Sequence, residues 1–376
     1  MRLNSTIYPV LAAMALALPL GSGREQACRH ASPADALRQR LERVQQDGKT
    51  IFGHDDDTAY GQNWFGFGQG CSDVLSVTGD YPGLMNWDLG MMELDSAANL
   101  DGVDFAGMSR EIGRQQMRGG VTALSWHPRN PVSMGDSWNT EGGDVVALSL
   151  QPGTEANQRL TSWIGKVADW IGSLRDEKGR KVAVIFRPWH EHTGSWFWWG
   201  KNHTSVQNYV DLWKLTRQIF DSKGIDNVLW AYSPDKAENA EDYMERYPGD
   251  DYIDILGADV YHLGGEADTQ RFYDLITSSL TVAREEAGKR GKLWALTETG
   301  NEGLVVPDWY TAVLTPALKD FKPLYVCVWR NAIQQNHPQA RKGHFYTPVA
   351  GQPQEKSFVE YYRYPHTLFA RDMEKY

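Results

Sequence analysis

Eight short apolar segments, separated by segments of helical periodicity, constrain the fold of this chain more than any other feature. They are rich in β-branched and aromatic residues and have no polar face, which is typical of parallel strands covered by helices. The segments are residues 50–56, 83–89, 120–127, 181–189, 227–235, 252–261, 292–300 and 323–331. Eight such strands predict an α/β fold, a closed (β/α)8 TIM barrel. A doubly wound open sheet is the alternative, but no glycine-rich phosphate loop follows the first segment.

The segments between the strands carry apolar residues at helical spacing. The clearest of them begins at Asn157, and we expect Gly179 to end its helix. Before the first strand, we expect Ser32 to cap a helix that begins at Pro33. Helices at these places would cover the outside of the barrel.

The N-terminal residues predict export. Arg2 precedes an apolar run from Tyr8 to Leu20, and small residues follow it, which is the pattern of a secretory signal. The run is too short for a comfortable membrane span. We therefore expect residues 1–23 to be a signal peptide and residues 24–376 to be one catalytic domain, either periplasmic or extracellular.

Cys28 leaves two possibilities open in an exported protein. It permits a lipid anchor, although Arg24, Glu25 and Gln26 stand where a lipidation signal has small or apolar residues. An oxidising compartment also permits a disulfide bond between Cys28 and Cys71, but the spacing does not establish one.

Charge and aromatic content narrow the class of ligand. The net charge of -10 argues against nucleic acid, since phosphate binding needs a concentrated basic surface. Many of the 15 tryptophans would pack in the core. The others suit a ligand with apolar faces and hydroxyl edges.

Polar and tryptophan residues stand at or just past the C-terminal ends of the apolar segments, which a barrel brings together. Because active sites of such barrels lie at the C-terminal ends of the strands, we expect these side chains to line one site. They are His54, Asp55, Trp87, Asp88, Trp126, His127, Glu191, Ser233, Asp235, Asp259, Tyr261, Glu298, Trp329 and Arg330.

Glu191 and Glu298 are the candidate catalytic pair. Glu191 follows the fourth segment and Glu298 lies at the end of the seventh, so a closed barrel would bring them together. Apolar neighbours raise the pKa of a carboxyl group, as a general acid requires, and a second ionised carboxylate can act as a nucleophile. Two such carboxyl groups beside a sugar linkage define glycoside hydrolysis.

Two other chemistries fit the sequence less well. His190 and His192 flank Glu191, but a third metal ligand is not evident in the sequence, so we predict no metal site. Ser195 lacks the glycine pattern of a nucleophile elbow.

Four sequence blocks resemble glycoside hydrolase family 26. They are RPWHEHTGSWFWWG (187–200), SWHPRNP (125–131), GADVY (257–261) and LTETG (296–300). The similarity extends over roughly residues 35 to 370. The family is dominated by endo-β-1,4-mannanases and has a retaining mechanism on a (β/α)8 barrel. The resemblance therefore implies that Glu191 is the acid/base and Glu298 the nucleophile.

The resemblance also implies roles for the residues around this pair. Trp196 would stack on a sugar beside the acid/base, and Tyr261 would donate a hydrogen bond to the nucleophile. For His127 and Asn130 the alternative is loop capping, and for Trp198 and Trp199 it is core packing. His192 is expected to be a solvated loop residue. The predicted substrate-binding residues are Trp126, His127, Asn130, His190, Trp196, Asp259, Tyr261 and Trp329.

The family leaves the sugar open, because it also contains lichenases and β-1,3-xylanases. We expect β-mannan or manno-oligosaccharide as the substrate, a monomer, no nucleic-acid partner, and membrane association only through a lipid on Cys28. A non-catalytic carbohydrate-binding protein would use the same aromatic surface, but it would not need paired carboxyl groups. The chemistry implies no cofactor, since an acid/base and a nucleophile suffice.

Overall fold

The computed structural model of the protein describes residues 31–68 and 70–376. The predicted signal peptide lies outside these residues. So does Cys28, and with it both of the possibilities left open for it, a lipid anchor and a disulfide bond to Cys71. Within the described residues, Cys71 and Cys327 are both free thiols.

Eight parallel strands form a closed barrel, and each predicted segment contains one of them. Neighbouring strands pair in chain order, and β8 pairs with β1 through Ile51 opposite Tyr325, which closes the sheet. The predicted (β/α)8 TIM barrel is therefore confirmed, and the open sheet is excluded. The strands are β1 (Thr50–Asp55), β2 (Leu84–Asp88), β3 (Val121–Ser125), β4 (Val184–Arg187), β5 (Val228–Tyr232), β6 (Ile255–Tyr261), β7 (Leu293–Gly300) and β8 (Tyr325–Val328).

Smaller strands lie outside the barrel circuit. Thr367–Leu368 pairs with the start of β1, and Tyr60–Gly61 forms an antiparallel pair with Trp64–Phe65. The second pair lies in the loop after β1, and therefore on the side of the barrel where the strands end.

Helices cover the barrel. The α-helices are α1 (Pro33–Gln46), α2 (Asp73–Thr78), α3 (Phe105–Met117), α4 (Val145–Leu150), α5 (Glu155–Ser173), α6 (Val206–Ser222), α7 (Ala240–Met244), α8 (Thr269–Arg290), α9 (Thr315–Leu318), α10 (Glu355–Tyr362) and α11 (Ala370–Met373). Short 3-10 turns occupy Met92–Leu94, Glu266–Asp268 and Glu302–Leu304, and a π-helical turn occupies Tyr310–Leu314. In the described part of the chain, every helix is too short or too polar to cross a bilayer.

The prediction for α1 is confirmed, and one for α5 is wrong. Ser32 caps α1 through a reciprocal pair of hydrogen bonds with Asp35, and Pro33 is the first helical residue. However, α5 ends at Ser173, six residues before Gly179. The carboxylate of Asp176 accepts the backbone N–H groups of Lys178 and Arg180, and this local turn replaces the last helical turn.

The inside of the barrel changes from apolar to polar along the strands, and this explains where the site lies. One buried cluster joins Leu37, Leu41 and Val44 of α1 to strand residues such as Ile185 and Ile255. Because strand residues two apart share a face, the residues that follow Ile185 and Ile255 on that face are Arg187, Asp259 and Tyr261. The strands thus carry apolar residues inward toward α1 and polar residues inward at their C-terminal ends.

Candidate active site

Glu191 lies in a tight turn just after β4. Trp189 and Glu191 both have left-handed backbone conformations, with φ of 54° and 52°. This conformation is uncommon for residues other than glycine, so the surrounding contacts must hold it. The backbone N–H of Glu191 donates to the carbonyl of Ser233 after β5, at 2.8 Å.

Glu298 points into the barrel because β7 contains an irregularity. Ala258 is opposite Leu296, but the next residue, Asp259, is opposite Glu298, so Thr297 has no partner in this ladder. A regular strand would turn Thr297 inward, whereas this β-bulge turns Glu298 to the same side as Asp259. Bulges commonly re-aim a side chain beside an active site, and this one aims the predicted nucleophile.

The predicted catalytic pair meets across the mouth of the barrel. One carboxylate oxygen each from Glu191, Glu298 and Asp259 lie within 4.8 Å of one another. Arg187 is buried beneath them and donates hydrogen bonds to Glu298 and, at 2.8 Å, to Asp259. Three acidic groups and one guanidinium group therefore share a small volume.

The environment of Glu191 suits a proton donor. Burial raises the pKa of Glu191 well above its ordinary value, and the charges of Glu298, Asp259 and Asp235 raise it further. The charge of Arg187 acts in the opposite direction but does not outweigh them. Glu191 therefore holds its proton at a pH where an exposed glutamate has lost it.

Glu298 instead lies among hydrogen-bond donors. Its Oε1 accepts from Arg187, and its Oε2 accepts from the hydroxyl of Tyr261 at 2.7 Å. Burial, and then the charge of Glu298, raise the pKa of Tyr261 well above its usual range, so the hydroxyl keeps the hydrogen that it donates. Both donors stabilise a negative charge on Glu298, as a nucleophilic carboxylate requires.

Asp259 is buried beneath the pair rather than exposed to the cleft. Its two oxygens accept from Arg187 and, at 2.6 Å, from Thr297. Burial raises the pKa of Asp259 to about 8, although Arg187 opposes the shift. Through these contacts Asp259 holds Arg187 and Thr297 in place beneath the two glutamates.

The side chains of Asp88, His127 and His190 form a chain of polar contacts on the Glu191 side of the site. Asp88 accepts from Nδ1 of His127 at 2.6 Å, and Nε2 of His127 lies 3.2 Å from Nε2 of His190. Burial, together with the charge of Arg187, lowers the pKa of His190 well below its ordinary value. His190 is therefore neutral, and its buried Nδ1 atom has no hydrogen-bond partner in the described structure.

Two predicted binding tryptophans are open to solvent. Trp196 is 38% exposed, and its indole N–H donates to Oε2 of Glu191 at 2.8 Å. Trp329 is partly exposed just after β8. Trp196 lies in the loop after β4 and Trp329 directly after β8, so both lie on the side of the barrel where the strands end.

Other residues of the predicted set support the site from inside. Asn130 is fully buried, and its amide donates to two loop carbonyls and accepts two backbone N–H groups, so it caps the loop. Trp126 is fully buried against Trp189 and donates to Glu93. Trp198 and Trp199 are also fully buried, so core packing was the correct alternative for these two.

The expectation for His192 is wrong. The side chain is fully buried rather than solvated, and both of its ring nitrogens have hydroxyl partners. Its burial depends on tyrosines from α6 and β5, which are distant in sequence.

Sequence reasoning missed Trp138. This residue is 49% exposed, and its ring stacks on His127 with centroids 5.3 Å apart and an angle of 10° between the planes. It lies in the long loop between β3 and α4. A tryptophan within such a loop was the available signal.

The carboxylate trio is the grouping in the described residues that could hold a metal ion by distance. However, Arg187 donates to Glu298 and Asp259, and Trp196 and Tyr261 donate to Glu191 and Glu298. The guanidinium charge already offsets the acids that a cation would neutralise. The donor set therefore suits proton transfer and nucleophilic attack better than metal binding.

Comparisons with known proteins agree on one family. The model of glycosyl hydrolase family 26 matches residues 35–299. A GH26 beta-mannanase of known structure from Bacteroides ovatus is 44% identical, with a TM-score of 0.84, and the match covers 90% of this chain and 95% of that one.

Two curated relatives carry the name mannan endo-1,4-beta-mannosidase. The protein from Bifidobacterium adolescentis is 32% identical over 239 residues, which are 61% of this chain and 24% of that protein. One from Bacillus subtilis is 30% identical over 274 residues, which are 71% of this chain and 66% of that protein. The matched region therefore spans less than two thirds of either relative.

Proposed function

The chain belongs to glycosyl hydrolase family 26, and we propose that it is a retaining β-mannanase that cleaves β-1,4-mannosidic linkages. The observation that carries this proposal is that a carboxylate oxygen of Glu191 lies within 4.8 Å of a carboxylate oxygen of Glu298. Retaining enzymes have carboxyl groups about 5–5.5 Å apart, whereas inverting enzymes need about 6.5–9.5 Å to admit water. The short separation therefore supports direct attack by one carboxylate.

In the first step, Glu298 attacks the anomeric carbon while Glu191 gives its proton to the departing glycosidic oxygen. The C–O bond to the leaving sugar breaks as the bond to Glu298 forms. The raised pKa of Glu191 supports its role as the acid, and the hydrogen bonds from Arg187 and Tyr261 support Glu298 as the nucleophile.

In the second step, Glu191 acts as a base. Now ionised, it takes a proton from water, the water oxygen attacks the anomeric carbon, and Glu298 leaves with its original charge. Each displacement inverts the configuration, so the product keeps the β configuration of the substrate.

Mannan, galactomannan, glucomannan and manno-oligosaccharides are the proposed substrates. The names of the curated relatives and the 44% identity to the Bacteroides ovatus mannanase support this choice. The exposed rings of Trp196 and Trp138 support it too, since pyranose rings have C–H faces that pack on indole.

We also propose that the protein is exported and acts as a monomer. The apolar N-terminal run supports cleavage near residue 23, which leaves residues 24–376 as one catalytic domain. N-terminal sequencing of the protein from its native host would check the cleavage site, and mass spectrometry would detect a lipid on Cys28.

A reducing-sugar assay on four polysaccharides tests the activity. We expect the protein to release reducing ends from galactomannan and glucomannan, and Glu298→Ala to release none. Glu177→Ala, which removes an exposed acid in the loop before β4, is the control and should match the wild type. Preference for mixed-linkage glucan or β-1,3-xylan, or near-normal turnover by Glu298→Ala, would contradict the proposal.

A further inference from the structure

His192 lies immediately after Glu191, and the reaction just described gives it no role. Its imidazole is fully buried. Nδ1 lies 2.8 Å from the hydroxyl of Tyr209 on α6, and Nε2 lies 3.0 Å from the hydroxyl of Tyr232 at the end of β5. The side chain thus joins two elements that flank the turn carrying Glu191.

The Tyr209 hydroxyl is also hydrogen-bonded to that turn. It donates to the carbonyl of Trp189 at 2.7 Å, and it accepts the indole N–H of Trp213 at 2.9 Å. Trp189 is one of the two left-handed residues of this turn, and the other is Glu191, two residues later. A strained conformation persists only where surrounding contacts determine it, and this hydrogen bond is one such contact.

His192 can orient the Tyr209 hydroxyl because the two groups share few hydrogens. Burial, together with the charge of Arg246, lowers the pKa of His192 well below its ordinary value, so the ring is neutral and has one N–H. Tyr209 has one hydrogen, and Trp189 offers only an acceptor. When the Tyr209 hydrogen points to Trp189, Nδ1 of His192 carries the N–H and donates it to Tyr209.

The other ring nitrogen fixes the imidazole itself. With Nδ1 protonated, Nε2 is an acceptor that faces the Tyr232 hydroxyl, which also lies 2.8 Å from the carbonyl of Tyr243 on α7. The ring planes of Tyr209 and Tyr232 pack on the imidazole, with centroids 4.5 Å and 4.8 Å away. The two hydroxyl partners and the two packed rings therefore hold the imidazole in one position.

We propose that His192 is a positioning residue for Glu191: it orients the Tyr209 hydroxyl toward Trp189 and so holds the left-handed turn that aims Glu191 at the glycosidic oxygen. This inference rests on the proposed function of Glu191 as the acid. It predicts that breaking the network impairs proton donation more than substrate binding or nucleophilic attack.

Tyr209→Phe and His192→Phe test the inference, because each keeps an aromatic ring and removes the hydrogen bonds. Tyr243→Phe is the matched control. Tyr243 is also fully buried and its hydroxyl also donates to a backbone carbonyl at 2.7 Å, but that carbonyl belongs to Gly257 on β6 and the hydroxyl lies outside the network. The control therefore loses a comparable hydrogen bond without touching the turn.

The readout compares two substrates that differ in their need for protonation. Mannohexaose needs a proton on its leaving oxygen, whereas 2,4-dinitrophenyl β-mannobioside has a leaving group that departs without one. We expect Tyr209→Phe and His192→Phe to lower kcat/KM on mannohexaose by about tenfold or more, which is within the range of general acid catalysis. On the dinitrophenyl substrate we expect kcat/KM to change by less than about twofold, because that step needs no general acid.

Tyr243→Phe should leave both values near those of the wild type. An equal loss on both substrates, or no loss on either, would overturn the inference. If His192→Phe does not fold, Tyr209→Phe alone decides the result.

A structural readout separates this inference from the proposed function. Wild-type protein that cleaves neither substrate would contradict the proposed function. In that case, crystal structures of the wild type and Tyr209→Phe decide the inference: we expect the Glu191 carboxyl group to move by about 1 Å or more, a misplacement that is costly in catalysis. If the turn and the Glu191 carboxyl group keep their wild-type positions in Tyr209→Phe, the positioning role of His192 is overturned.

Discussion

Arg187, at the end of β4, donates a hydrogen bond to Glu298 on β7, and both side chains are buried. The same guanidinium group also donates to Asp259 and Ser233. One cation thus offsets two buried acids at the centre of the site. Removing one member of a buried ion pair leaves the others uncompensated.

Arg187→Met should therefore destabilise the fold. We expect the free energy of unfolding to fall by about 3–5 kcal/mol, as measured by urea denaturation. Arg271→Met is the matched control: Arg271 forms an exposed ion pair with Asp268 at 3.5 Å, and its loss should cost about 0–1 kcal/mol. Equal stability of the two variants would show that Arg187 does not carry the buried charge balance.

Glu191→Gln should impair the reaction without impairing binding. The amide cannot give a proton, so we expect kcat/KM on manno-oligosaccharides to fall by roughly 10²–10⁴-fold. Added azide should restore turnover of a dinitrophenyl β-mannoside, because azide attacks the glycosyl-enzyme without a base. Glu177→Gln is the control. An unimpaired Glu191→Gln enzyme would mean that another residue is the acid.

The charge of Asp235 should set part of the pH profile. A general acid is active while protonated, so activity should fall as the pH rises through the raised pKa of Glu191. Asp235→Asn removes a negative charge that raises this pKa, so the alkaline limb of kcat/KM should move to lower pH. Asp274→Asn, an exposed acid on α8, should leave the limb in place. A shift to higher pH would contradict the assignment.

Trp138 should contribute to binding. If its exposed face stacks on a sugar, Trp138→Ala should lose about 1–2 kcal/mol of affinity, or about tenfold in the dissociation constant for mannohexaose. Calorimetric titration in a Glu298→Ala background measures this without turnover. Tyr364→Ala removes another exposed aromatic side chain, 39% exposed and near the C-terminal end of α10, and should have no effect. Unchanged affinity of Trp138→Ala would exclude the stacking role.

The barrel and its two candidate carboxyl groups could be predicted because their signals are local. Each strand is a short apolar run, and Glu191 and Glu298 each follow or end such a run. The helix boundary at Ser173 could not be predicted, because Asp176 forms a local turn that competes with the helical pattern.

The geometry of the site depends on contacts that a single sequence does not reveal. The β-bulge at Thr297 exists only in the pairing of β7 with its neighbours. The burial of His192 depends on Tyr209 and Tyr232, which lie 17 and 40 residues away in sequence. For the same reason the sequence leaves Asn130 as either a ligand contact or a loop cap, whereas its four hydrogen bonds in the structure make it a loop cap.

The central claim is that Glu298 attacks the sugar directly while Glu191 protonates the leaving group. Proton NMR of the first product formed from a manno-oligosaccharide tests this claim most directly, since it reads the anomeric configuration before mutarotation. Two displacements predict that the β-anomer appears first and the α-anomer later. Initial release of the α-anomer would show a single displacement by water, and would contradict the proposed roles of both residues.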